Sequence, residues 1–307
     1  MSHPPAPRPQ EDAEGSVAAA EGKLHVGAST GTSVSFTVTN TMEYFQVSST
    51  GQTLAHEDVV TADADSASPA IIVPAMGTIF MGYFTNANLD VDSMIRRLAP
   101  GQWGQAVDLW GRGDPGFQLI ITAAGHVFEL YEDTFHDIEM WDGDTGGSTG
   151  SASIAELSTD DGYTPVLRRD GKGRMHAAFR QKVYGQTSPV VHYFLNPSGT
   201  THDWDDKEVL EPAQGLTMDL GPTGEPALAW TTPEGEVVLA NLAGDAWNTS
   251  TLTTLPEGAA LVAFAMAVDR HERRHVVWAY GGASVAVGYA LACRKGGFCT
   301  PNCTDKA

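Results

Sequence analysis

The sequence predicts an all-β fold, a six-bladed β-propeller of four-stranded blades, and three observations lead there. A short pattern recurs six times at a nearly constant spacing. Each copy stands between an apolar stretch and a second alternating stretch, with turn residues between them. Apolar residues recur at period two rather than the ~3.6 of a helix.

The pattern is a turn residue, two variable residues, an apolar residue or His, and an aromatic three positions further on. It reads GKLHVGA from Gly22, GTIFMGY from Gly77, GHVFELY from Gly125, GRMHAAF from Gly173 and GEPALAW from Gly224. A sixth copy, ERRHVVW from Glu272, has Glu in place of the glycine. Successive starts lie 55, 48, 48, 51 and 48 residues apart. Upstream of each lies an apolar strand, as in SVAAA, FQLIITAA or VAFAMAV, and downstream a second, as in SMIRRLA, VVHYFL or VVLANLA. A polar turn and an aromatic often follow, at Trp103, Trp204, Trp247 and Phe298, before a short closing strand. Four short strands in a unit near 48 residues make one propeller blade.

Six such units occupy residues 16–303, approximately 16–60, 68–110, 114–157, 163–211, 215–257 and 260–303. Blades packed face to face bury one aromatic each, which fits Tyr83, Tyr131, Phe179, Trp230 and Trp278. The first blade carries Ala28 there instead.

The composition bounds the partners. A net charge of −20 argues against nucleic acid and anionic membranes, both of which need basic surface. No run of 18 apolar residues marks a membrane span. Residues 1–15 are Pro-rich and polar and read as a flexible linker, with no apolar core of a signal peptide. Two locations stay open. Either the chain is exported (secreted, periplasmic or at the cell surface) with its signal removed, or it is cytoplasmic. The three cysteines, Cys293, Cys299 and Cys303, favour export. Their clustering at one chain end predicts a disulfide fastening the last blade, with one thiol left over. Buried thiols and a metal site are the other readings, the latter weakened by the lack of a fourth ligand.

The pattern G-x-x-H-V-x-aromatic followed by a later G-x-x-W resembles bacterial propeller repeats of the sialidase-like, BNR-type group. That resemblance implies a scaffold shared by sialidases, other glycosidases, lyases, lectins and protein-binding modules. It does not by itself choose among them. The Asp-box of that group is met once, from Ser158 to Thr164, but Pro165 stands where its Trp belongs. The match also falls between two blades.

Candidate sites follow from propeller geometry. His25, His176 and His275 share one repeat position, which reads as a core or turn-capping histidine rather than a metal centre. Loops after the second strands open on the opposite face from the glycine turns, and three are long and polar, at 84–93, 131–137 and 180–188. They offer Asn86, Asn88, Glu132, Asp133, His136, Arg180, Lys182 and Tyr184 as ligand-binding residues. Carboxylates, amides, a guanidinium and aromatics are what a sugar site uses for bidentate hydrogen bonds and stacking. If the protein is an enzyme, Glu132, Asp133, Asp90 and Tyr184 are the residues for glycosidase or lyase chemistry. Asp142 and Asp144 alternate like calcium ligands but lack the rest of the loop, so calcium is a weak candidate and no organic cofactor is expected. The leading expectation is an exported, lectin-like propeller that binds carbohydrate or protein. A carbohydrate-active enzyme and an interaction propeller within a larger assembly are the alternatives.

Overall fold

In the computed structural model, the described residues are 15–20, 23–34, 37–48, 50–63, 67–73, 77–85, 91–109, 117–132, 137–144, 154–158, 162–182, 188–200, 202–207, 211–281, 285–293 and 297–298. The proposed linker therefore lies outside them, apart from Gly15. The protein is all-β, a six-bladed β-propeller of six antiparallel sheets that follow one another along the chain, with no helix among the described residues.

The first sheet holds β1 (Gly15–Ala20), β2 (Lys23–Val34), β3 (Thr37–Ser48) and β4 (Thr53–Asp63) in that order. The second holds β5 (Ala67–Ile72), β6 (Phe80–Thr85), β7 (Val91–Ala99), β8 (Gln102–Trp103) and β9 (Val107–Asp108). The third is β10 (Phe117–Ile121), β11 (His126–Glu132), β12 (Ile138–Asp144) and β13 (Ile154–Ser158). The fourth is β14 (Gly162–Arg169), β15 (Met175–Gln181), β16 (Val190–Asn196) and β17 (Asp205–Asp206). The fifth is β18 (Gly215–Leu220), β19 (Pro226–Thr231), β20 (Glu236–Ala243) and β21 (Ala246–Thr254). The sixth is β22 (Ala260–Val268), β23 (Arg274–Gly281), β24 (Val285–Cys293) and β25 (Gly297–Phe298).

The expected four-stranded blade is met in part. Among the described residues the fourth strands of the fourth and sixth sheets are two residues long, and in the second sheet both β8 and β9 pair with β7. An outermost strand has one neighbour and little apolar surface to bury. Stretches such as HDWDD and GGF supply few apolar contacts to hold it.

The chain divides into two compact units, residues 1–127 with 143–151 and residues 128–142 with 152–307. Within the first, β5 packs against β1 and β2 and also against β10. Its core joins Met42 and Tyr44 to Ile71, Ile79, Met81, Tyr83 and Ile95. Within the second, β18 packs against β14 and β22. One core there unites Val166, Tyr193, Met218 and Trp230, and another unites Leu239, Val276 and Trp278. Each of the five expected aromatics is buried.

The recurrent glycine has a backbone reason. In the first-to-second-strand turns, Gly125, Gly173 and Gly224 adopt φ of 81°, 86° and 87°, closing a type I turn with a left-handed fourth residue. The turn hydrogen bonds repeat, for example Gly173 N to Asp170 O at 3.0 Å and Asp170 N to Arg174 O at 3.0 Å. Glu272 takes the same place in the sixth blade at φ 58°.

Candidate functional site

In the second to sixth sheets the second strand carries its buried aromatic near its end, and the next residue is still within the strand. That next position is Phe84, Glu132, Arg180, Thr231 and Ala279 in the second to sixth blades. Glu132 and Arg180, both expected to sit in loops, lie within β11 and β15 instead. Ladder hydrogen bonds thus hold their backbones, and the site stands on strands rather than on loop tips.

Glu132 is buried at the end of β11. Arg180 pairs across the sheet with Tyr163 in β14, its guanidinium carbon 5.8 Å from the Tyr163 ring centre. The ladder bulges between Tyr163 and Val166. Arg180 Nη1 donates to the backbone carbonyl of Gln214, and Gln214 N donates in turn to Thr231 O at 2.8 Å. Burial pushes the Arg180 pKa down, while the charges of Glu132 and Tyr163 oppose that shift. Glu132 and Arg180 therefore feel one another electrostatically across neighbouring blades. Lys182 follows, exposed, just past β15.

The other loop candidates, Asn86, Asn88, Asp90, Asp133, His136 and Tyr184, lie outside the described residues. Asp142 and Asp144 fall in strand β12 and not in a turn. Cys293 ends β24, while Cys299 and Cys303 lie outside the described residues. Sequence reasoning missed Tyr163, Gln214 and Thr231 as neighbours of Arg180. The repeat itself could have flagged Thr231, since it occupies the same position as Arg180 one blade later.

Each of the three repeat histidines builds a lock within its own sheet. His25 Nδ1 lies 2.8 Å from the Tyr44 hydroxyl, His176 Nδ1 2.7 Å from Tyr193, and His275 Nδ1 2.9 Å from Tyr289. In the fourth and sixth blades the other ring nitrogen faces a turn carboxylate. His176 Nε2 is 3.7 Å from Asp170 and His275 Nε2 3.3 Å from Asp269. In His275 a hydrogen on Nε2 donates to Asp269 while Nδ1 accepts from the phenol; in His176 the 3.7 Å to Asp170 is too long for a hydrogen bond. Asp170 also caps its own turn, accepting from the backbone of Lys172 and Arg174 at 2.9 Å each. Burial, helped by Arg174 and opposed by Asp170, lowers the His176 pKa to about 4, so this histidine is neutral at pH 7.

No protein-family model matches the chain, and no curated protein matches it. Solved structures match its fold. A protein of unknown function from Dyadobacter fermentans superposes with a TM-score of 0.62 at 12% identity, covering 92% of this chain and 94% of that one. An ulvan lyase solved with bound GlcA(1-4)Rha3S gives 0.57 at 11% identity, over 91% of this chain and 80% of that one. A Hadza microbial sialidase gives 0.58 at 10% identity, over 93% of this chain and 66% of that one. At such identities the likeness is one of scaffold. No helix among the described residues is long and apolar enough to cross a membrane.

Proposed function

We propose that the protein is an exported, lectin-like propeller that binds carbohydrate at the second-strand ends of its third and fourth blades. One observation carries this reading: Glu132 and Arg180, from neighbouring blades, sit close enough to influence each other's charge, with the Tyr163 ring beside the guanidinium. A carboxylate and a guanidinium grip sugar hydroxyls and acidic groups in bidentate fashion, and a tyrosine ring offers a stacking surface. The adjoining residues Asp133, His136, Lys182 and Tyr184 would complete the rim in this reading. The solved structures that support a carbohydrate ligand are the sialidase and the ulvan lyase, by what they are named for. Export goes with a disulfide among Cys293, Cys299 and Cys303.

The test is calorimetry of the full chain with neutral and uronate-containing oligosaccharides chosen by a glycan array. Arg180→Ala and Glu132→Gln should each weaken binding by roughly 10- to 100-fold, about 1–3 kcal/mol for a charge-assisted bond. Circular dichroism must show both variants folded, because Arg180 also holds Gln214. Turnover of a chromogenic glycoside, or release of an unsaturated uronate, would replace binding with catalysis through Glu132, Asp133, Asp90 or Tyr184. Absence of glycan binding in the folded parent would sink the reading.

A further inference from the structure

The outer strands of the first blade hold a second cluster, on a different unit from Glu132 and Arg180. In the β3–β4 ladder Glu43 stands directly opposite Asp58, and Phe45 directly opposite His56. Residues two apart on a strand share a face, so these four side chains form one block on one side of the sheet. Glu57, between His56 and Asp58, turns the other way to meet Arg97.

Within the block, Glu43 Oε1 lies 3.0 Å from His56 Nε2. The donor atoms of Glu43, His56 and Asp58 all lie within 4.8 Å of one another. The His56 ring is stacked on Phe45, centroids 4.4 Å apart and planes 6° from parallel, which fixes the direction of Nε2 towards the carboxylate. The pairing of Glu43 with Asp58 is unusual in itself. Like charges directly opposite one another on adjacent strands destabilise a sheet, and a cation between them removes that penalty. A ladder irregularity falls beside the pair: Met42 faces Val60 while Glu43 faces Asp58, leaving Val59 as the extra residue. Such bulges re-aim neighbouring side chains.

We propose that Glu43, His56 and Asp58 form a binding site for one divalent transition-metal ion of the zinc class. Three protein ligands, two carboxylates and an imidazole, leave further positions to water, since His56 and Asp58 are exposed. The imidazole selects against calcium and magnesium, which take oxygen ligands, and in favour of zinc, cobalt or nickel. Ligand distances of about 2.0–2.2 Å are reached by small side-chain rotations from this arrangement. The strongly acidic chain, net −20, adds a favourable background field for a cation.

Chelator-treated full-length protein, titrated with Co2+ in reducing buffer and followed by visible absorption, should bind one equivalent. Zn2+ should displace it, and an equal concentration of Ca2+ should not. His56→Ala and Asp58→Asn, each with a cooperative metal-free melting curve and Asp58→Asn melting no lower than the metal-free parent, should each weaken Zn2+ binding at least tenfold. They should also abolish the rise in melting temperature that Zn2+ gives the parent. An intense near-ultraviolet thiolate band would assign the ion to Cys293, Cys299 and Cys303 and overturn the proposal. So would unchanged affinity in both variants, or no binding at millimolar Zn2+.

Discussion

Arg97→Ala should destabilise the first unit severely, because it strands a buried carboxylate. Arg97 in β7 donates Nε to Glu57 Oε2 at 2.9 Å and Nη2 to Oε1, a fork-to-fork pair between the first two blades. Trp103 Nε1 adds a third hydrogen bond to the same carboxylate at 3.0 Å, and the guanidinium lies 5.1 Å from the Tyr44 ring. An exposed ion pair contributes about 0–1 kcal/mol, whereas removing one partner of a buried pair costs about 3–5 kcal/mol. The side chains of Arg97 and Glu57 are only 13% and 8% exposed, which puts this pair in the second class. For a unit of this size the loss corresponds to roughly 6–20 °C in melting temperature. Urea midpoints at constant m-value give the free energy, and a double-mutant cycle with Glu57→Gln isolates the coupling. The pair also predicts a pH signature. Burial pushes the Glu57 carboxyl up, but hydrogen bonds from Arg97 and the Gly101 backbone outweigh it, leaving the pKa below its ordinary 4.5. A depressed folded pKa means stability present above the unfolded value and lost as pH falls through the folded one. The gap between parent and variant should therefore close below about pH 4. A cost under about 1 kcal/mol at pH 7, or a gap unchanged at low pH, would refute the reasoning.

Three further outcomes are expected. His176, held neutral with a pKa of about 4 against an ordinary 6.5, makes the folded state resist protonation, so stability should fall as pH drops from about 6.5 towards 4; imidazole NMR shifts that titrate near 6.5 would contradict this. Gly288→Ala should cost about 1–3 kcal/mol by overpacking, since a Cβ there would lie 2.1 Å from the Trp278 ring directly across the ladder; a melting curve like the parent's would count against that packing. Glu272→Gly should stabilise by up to about 1 kcal/mol, because φ of 58° strains a residue with a side chain by more than glycine's extra unfolded-state entropy costs; a lower urea midpoint would show that the Glu272 side chain is held for another reason.

The scaffold was legible because its cause is periodic. A turn needing positive φ recurs as Gly77, Gly125, Gly173 and Gly224, and a buried aromatic follows each at a fixed distance. The short fourth strand expected of the last blade is met by Gly297–Phe298, whereas the strand expected after Trp204, at 208–211, lies largely outside the described residues. Arg180 was read as a loop tip from its polar surroundings. Its strand position follows instead from pairing with Tyr163 and Val191, which is information from other parts of the chain. The Glu43, His56 and Asp58 cluster was invisible for the same reason: it depends on the β3–β4 register, and a bulge sets that register.

A repeat also separates structural chemistry from functional chemistry. The Asp–His–Tyr arrangement looks like an activated phenol when seen in one blade. It occurs around His176 and again around His275, and the His–Tyr half occurs around His25. Each of these histidines is engaged by a tyrosine of its own sheet, and two of the three are buried. They fasten the second strand to the third in each blade. The position after the buried aromatic behaves differently. It changes from Phe84 to Glu132, Arg180, Thr231 and Ala279, so no shared packing requirement fixes it. Burying Glu132 and half-burying Arg180 there carries a desolvation cost that an apolar or hydroxyl residue in the neighbouring blades avoids. Where the scaffold tolerates Phe or Ala, two opposite charges from neighbouring blades are a departure from the repeat that packing alone does not require. The proposed binding site is therefore built on Glu132 and Arg180 and not on the more conspicuous histidines.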